Sequence, residues 1–525
     1  MISVLMLAAV AQTVPGATIV DRARVDRAPQ APVASGAATP KAATHVTTGG
    51  ATIAIAGIRF DGAKAPRSVA DAARRFLGQT ADSATLQQLA AALSAAYGHS
   101  RVALYTIAIP EQDFAGGVVV VHLVEGRIEH AAIKGDAAAW PQLRARMAPL
   151  LAEAPLTRAT FERQVILMRA IPGVTFDIGL DDPQSTGALA MTVTPKRRHH
   201  KFSVGFSNRG VDLLGQGQFD AKADFYGLAT DGDQLSLAAS AASDLRRYRY
   251  ASGAYMLPIG ASGLNVTGNA GYLETRPKGY DIIGRAKLAG LTLAYPWLRD
   301  FHHSGDVTLG IDGLNSDNAL FGNLVATERT RALRAAAGWT MGYERRSLSI
   351  NGSVSHGLDI LGARVTAPSA ERGFLKGTLA ASAAQAIGKR AVLRLSASGQ
   401  YTRDRLPAAE RFSIGGEAIG RAFDTALLTG DAGAGGLAEL AYRPVKRGGF
   451  GQSEVYTFVD RGAVAVRARG AQPAAHYDLA SAGVGFRARY KEKAELGLEA
   501  ARSIDDPYPG YADDWRLSVE WRLTL

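Results

Sequence analysis

Two charged residues stand where their surroundings could put them to work: Arg421 and Asp460. Arg421 is the one arginine in the glycine-dense run from Ser413 to Asp431, which has strand-like sequence on both sides. Such a run builds no core of its own, so it must be held by something around it. Downstream, Tyr456-Thr-Phe-Val-Asp-Arg-Gly462 reads as a strand. Tyr456, Phe458 and Asp460 share one parity, and Val455, Thr457 and Val459 share the other. The second set suits lipid, so Asp460 points into a barrel lumen, where a carboxylate is costly unless solvated or paired. A guanidinium is a planar fork that binds a carboxylate bidentately. The expectation is a loop folded back into a β-barrel, with a salt bridge between Arg421 and Asp460. Gly462 and the glycines before Arg421 would let the inserted backbone approach the wall.

Other chemistries find no constellation. The ten histidines are scattered, and the pairs His199-His200 and His302-His303 fall at turns or strand ends, as exposed polar residues would. There is no Gly-x-Ser-x-Gly elbow, no His-Glu-x-x-His helix and no phosphate-binding loop. Gly215-Gln-Gly217 is turn chemistry. With no cysteine in the chain, disulfides and thiolate metal sites are excluded. No catalytic residue, metal site or cofactor is expected.

The elements that must position the two charges are set by length and texture. At 525 residues the chain holds two to four units. Fifty-eight glycines, 47% hydrophobic and 20% charged residues suit an ordered protein. No window reaches the roughly eighteen apolar residues of a membrane-spanning helix. A mean hydropathy near zero is also what a transmembrane barrel gives, since its strands alternate. The net charge of +11 admits nucleic acid as a partner. The basic residues, however, alternate over the last two-thirds of the chain without forming a stripe, which fits a water-filled lumen better.

In order along the chain, 1–20 reads as a signal segment, with an apolar run from Ile2 and Ala9 and Ala11 in an A-x-A arrangement. Residues 21–50 read as a flexible linker, with a short helix fitting Ile19 to Arg27. Residues 51–126 show the order βααββ: a strand from Thr52 to Phe60, helices from Ser68 and from Ser83 (as N-cap), then strands Val102 to Ile109 and Gly117 to Glu125. The same order repeats over 127–198, with Trp140, Leu143, Met147 and Leu150 on one helix and Phe161, Val165, Met168 and Ile171 after Thr157. Beyond that, 199–525 loses helical periodicity. About 325 residues, at roughly ten per strand plus turns, accommodate about sixteen strands. In the last of them Trp515, Leu517, Val519, Trp521, Leu523 and Leu525 oppose Arg516, Ser518, Glu520, Arg522 and Thr524.

The two βααββ units resemble the POTRA domains of bacterial outer-membrane transport proteins. The run from Ile109-Pro-Glu-Gln-Asp-Phe to Leu-Val-Glu-Gly-Arg-Ile128 is similar to the corresponding run in two-partner secretion transporters, as is Arg169-Ala-Ile-Pro-Gly-Val174. That family folds a long sixth extracellular loop into its barrel, tipped by Val/Ile-Arg-Gly-Phe/Tyr, whose arginine pairs with the aspartate of a Phe-x-Asp-x-Gly motif on the wall. Phe458, Asp460 and Gly462 match the second motif at every fixed position. The first is matched at Arg421 and Phe423, whereas Gly420 stands where an aliphatic residue is common and Ala422 replaces a glycine. Leu525 departs from the terminal phenylalanine of many such barrels.

The resemblance implies two α+β POTRA domains followed by a 16-stranded antiparallel transmembrane β-barrel, with an inserted loop at about 403–431. It implies a monomer of the bacterial outer membrane, in contact with lipid and lipopolysaccharide, with POTRA domains in the periplasm that take up an unfolded, adhesin- or haemolysin-like exoprotein and no nucleic acid. A barrel-assembly chaperone is the alternative, and a passive porin would leave the POTRA units unexplained.

Overall fold

The computed structural model describes residues 43–181, 187–320, 323–365, 370–445, 448–491, 493–508, 511 and 515–525. The signal segment, the Ile19 to Arg27 helix and most of the linker lie outside the described residues.

The first unit is a four-stranded sheet carrying helices α1 (Arg67–Ala73) and α2 (Ser83–Gly98). Leu86, Leu89, Leu93 and Tyr97 recur at helical spacing on α2 and are buried against Ile107, Ile109, Val119 and Val121 of the sheet. The N-cap is Asp82 rather than Ser83: its carboxylate accepts the Thr85 N–H at 2.7 Å. Either residue type can do this, and Asp82 is the one left with extended backbone. The strand expected from Thr52 to Phe60 is two, Gly50–Ala54 and Gly57–Gly62. The linker expected to run to residue 50 does not reach it. Ala43–Val46 forms a strand that pairs in parallel with Tyr105–Ile109, and so belongs to this sheet.

The second unit packs α3 (Pro141–Ala152) and α4 (Arg158–Arg169) on a three-stranded sheet. Thr157 caps α4 through its hydroxyl, as its position suggests. Both units place their last strand in the middle of the sheet. Val118–Glu125 runs parallel to Gly57–Gly62 and antiparallel to Tyr105–Ile109. Ala188–Arg197 does the same between Arg127–Ile133 and Val174–Leu180.

Sixteen antiparallel strands then close into a barrel, from His200–Ser207 to Trp515–Thr524, with Ser203 opposite Thr524 and Ser207 opposite Glu520 at the seam. Closure removes the free edges a sheet this large would otherwise expose. The alternation follows the sequence. On the strand Glu454–Val466, Val455 and Val459 are 47% and 50% exposed, while Tyr456, Phe458 and Asp460 are buried. Leu395 and Tyr401 likewise face outward on Ala391–Thr402, and Leu517 and Leu523 on the last strand.

The barrel's near end is docked on the second unit. Asp231, in the turn after the second barrel strand, accepts the N–H groups of Gln142 (2.7 Å) and Leu143 (3.0 Å) at the start of α3. A carboxylate there satisfies helix N–H groups that have no partner within the helix. Phe301, from another near-end turn, is buried in the second unit's core, and its N–H donates to Glu162 at 3.1 Å.

Candidate functional site

Between the strands Ala391–Thr402 and Ala432–Tyr442 the chain leaves the wall, runs into the lumen and returns. This is the loop expected at about 403–431. Its two ends are tied by Asp431, whose carboxylate accepts the N–H groups of Leu406 and Arg467, each at 2.8 Å, and pairs with the Arg469 guanidinium at 2.5 Å. Inside that tie, Phe412–Ile414 and Leu428–Gly430 form a short hairpin.

The tip turns on glycine. Gly415, Gly416 and Gly420 hold φ of +102°, +104° and +82°, where a side chain would be strained. The residue before Arg421 therefore has to be glycine in this loop, whereas Ala422 is absent from the positive-φ positions and fits as it stands. The wall beneath is stripped of side chains to receive the loop. A β-carbon on Gly462 would lie 2.7 Å from Ile419 Cγ2 and 3.0 Å from Ile414 Cγ2, and one on Gly435 2.7 Å from Ile419 Cδ1. Gly462 thus makes room for loop side chains rather than loop backbone. Substituting Gly462→Val should unseat the tip at an overpacking cost of about 1–3 kcal/mol. Limited trypsin digestion of the folded protein would then cut at Arg421, which is buried when the loop is seated. Protection equal to that of the parent chain would contradict this account.

The expected site residues come together, but with different partners. Asp460 accepts the backbone N–H of Gly420 (2.7 Å) and of Arg421 (3.2 Å), and the Ser481 hydroxyl at 2.9 and 2.8 Å. Both of its oxygens are therefore filled by neutral donors. The Arg421 side chain reaches past it, its guanidinium carbon 4.6 Å from the centre of the Phe458 ring. It donates to Glu439 and Glu499, each at 3.1 Å, and through Nε to the Glu417 carbonyl at 3.0 Å. The predicted Arg421–Asp460 salt bridge is thus corrected: Asp460 holds the tip's backbone, and Glu439 and Glu499 hold its charge. Ala422 N–H faces Ser481, and Phe423 is fully buried beside Tyr511.

The acids around Arg421 have further cations. Glu439 also pairs with Arg394 and Arg487 at 2.8 Å, and Glu499 with Arg209 at 2.7 Å. Glu454 joins the same network through Arg394 and Arg487. Tyr456 donates its hydroxyl to Glu499 at 2.8 Å and stacks under Arg487. Glu439, Glu499 and Ser481 escaped the sequence reading. Their signal was available as inward parity, for Glu439 and Ser481 on the two strands flanking Asp460 and for Glu499 on the next one along, where a buried acid must be matched.

Comparison with known proteins places this geometry. A family model for the haemolysin secretion/activation protein ShlB/FhaC/HecB matches residues 187–488, and one for the POTRA domain, ShlB-type, matches 53–126. No curated protein matches the chain. Among solved structures it is similar to CdiB from Escherichia coli, with a TM-score of 0.70, 18% identity and 90% of each chain covered. It is also similar to CdiB from Acinetobacter baumannii, with a TM-score of 0.60, 18% identity and 90% of each chain. BamA from Haemophilus ducreyi lacking POTRA domains 1–3 is similar at a TM-score of 0.55 and 14% identity, over 90% of this chain and 100% of that one. The chain belongs to the haemolysin secretion/activation protein ShlB/FhaC/HecB family, and is an outer-membrane transporter of two-partner secretion.

Proposed function

We propose that this transporter spans the outer membrane as a monomer and carries one unfolded, adhesin- or haemolysin-like exoprotein through its lumen when loop 403–431 leaves its seat. The observation that carries this reading is the loop itself. It fills the lumen through ion pairs and hydrogen bonds, which water can replace, around a tip set into a glycine-lined wall. The exposed Val, Leu and Trp faces suit acyl chains, with lipopolysaccharide at the outer rim.

Both α+β units act as periplasmic POTRA domains in this reading. The second shares the first's strand order and directions, although the POTRA match covers the first alone. Exoprotein adds as a strand at a sheet edge, where backbone groups supply the affinity. Transport by displacement then demands a seat to which the loop returns. No nucleotide enters the scheme, and folding of the exoprotein outside supplies the direction.

The test is deletion of this protein in its own cells, with a dependent exoprotein followed in the periplasm and the medium. The exoprotein is expected to stay in the periplasm while other outer-membrane barrels assemble normally. A general failure of barrel assembly would favour the chaperone reading instead, to which the likeness to BamA lends a fold alone.

A further inference from the structure

The tip is one attachment of the loop, and a second buried charge cluster lies outside it. Ala408–Glu410 forms a single helical turn early in the loop, and Glu410 is fully buried against the wall. Its carboxylate takes two hydrogen bonds from the Arg334 guanidinium, at 2.9 and 3.1 Å, and pairs with Lys376 at 3.0 Å. Arg334 also binds Asp312 and the Ser355 hydroxyl. The Glu410 carbonyl accepts from Lys376 and from Gln400, each at 3.0 Å.

These wall residues sit on one arc. Asp312, Arg334, Ser355 and Lys376 belong to the seventh to tenth barrel strands, whereas Glu439, Asp460, Ser481 and Glu499 belong to the twelfth to fifteenth. The loop therefore crosses from one arc to the other with opposite charge at its two contacts. It offers an acid to a basic arc and a base to an acidic one.

We propose that Glu410 is a second latch, which holds the loop in the lumen independently of Arg421. Asp312, Arg334, Lys376 and Glu410 sum to zero charge while the loop is seated. Removing the Glu410 charge leaves two cations facing one acid in a dry site. That imbalance destabilises the seated loop and costs nothing once water enters. Removing Lys376 as well returns the site to balance, with Arg334 still paired to Asp312, so the seat recovers. A residue with only a packing role would not show this recovery.

The latch rests on the reading of the loop as a displaceable plug, and its test needs no exoprotein. The chain has no cysteine, so Ala409→Cys, a small change at a buried position of the same turn, supplies a unique label site. The full-length protein in detergent is treated with a small thiol reagent, and labelling is read only on the folded, heat-modifiable band. Adding Glu410→Gln is expected to raise the labelling rate on the order of a hundredfold, the low end of what an orphaned buried charge implies. Adding Lys376→Met to that variant, which leaves Arg334 on Asp312, should bring the rate most of the way back. An unchanged rate with Glu410→Gln, or a rise that Lys376→Met does not reverse, overturns the latch. If labelling behaves as expected while deletion of the protein leaves export intact, the transport reading fails and the latch stands.

Discussion

Replacing Arg421 with alanine is expected to cut secretion about tenfold or more while the barrel still inserts. The two outcomes separate because of where the charges are shared. Glu499 keeps Arg209 and the Tyr456 hydroxyl, and Glu439 keeps Arg394 and Arg487, so the wall is left with no orphaned acid. The usual penalty for breaking a buried ion pair, about 3–5 kcal/mol, is therefore not incurred by the barrel. The loop, by contrast, loses both of its carboxylate contacts and its stacking on Phe458. Losing even about 1.4 kcal/mol of seating free energy shifts the ratio of seated to released loop tenfold. Exoprotein in the culture supernatant, compared with heat-modifiable barrel in the membrane, checks this. Secretion at the parent level with normal insertion would remove the tip from the mechanism.

The charge exchange Arg421→Asp with Asp460→Arg should fail to restore secretion and should fall below either single change. A direct ion pair would survive such a swap in part. Here, an arginine at 460 would meet the N–H groups of positions 420 and 421 and the Ser481 hydroxyl. Two of these are donors that cannot reverse. An aspartate at 421 would meet Glu439 and Glu499, where like charges repel in a desolvated site. Secretion and membrane insertion of the two singles and the double decide the matter. Recovery in the double would reinstate the direct pair.

Much of this architecture was legible because the pattern repeats. The βααββ order of the second unit and the inward parity of Asp460 follow from periodicity, which tertiary packing here reinforces, and the loop shows in its glycine density and its resemblance to a known motif. The misses have physical causes. The strand Leu375–Ile387 carries alanine or serine on both faces, so it does not show the contrast that alternation depends on. Ala43–Val46 is a strand because a neighbouring edge was open to it, a reason that lies in Tyr105–Ile109 and not in the segment. The Arg421 partners were missed because sequence offers candidate charges without saying which lone pairs are already taken. Asp460's are filled by backbone N–H groups and a serine, which no motif names.

That short parallel strand also sets the terms for any guest at the first sheet. An arriving peptide that aims for Tyr105–Ile109 finds the row of hydrogen bonds already spoken for by residues 43–46, with Thr47 bonded to Ile109 beyond them. The incumbent is covalently tethered, so it competes at an effective concentration on the order of millimolar. Only a rival that outbids it, or a tug on the chain ahead of residue 43, would clear the berth.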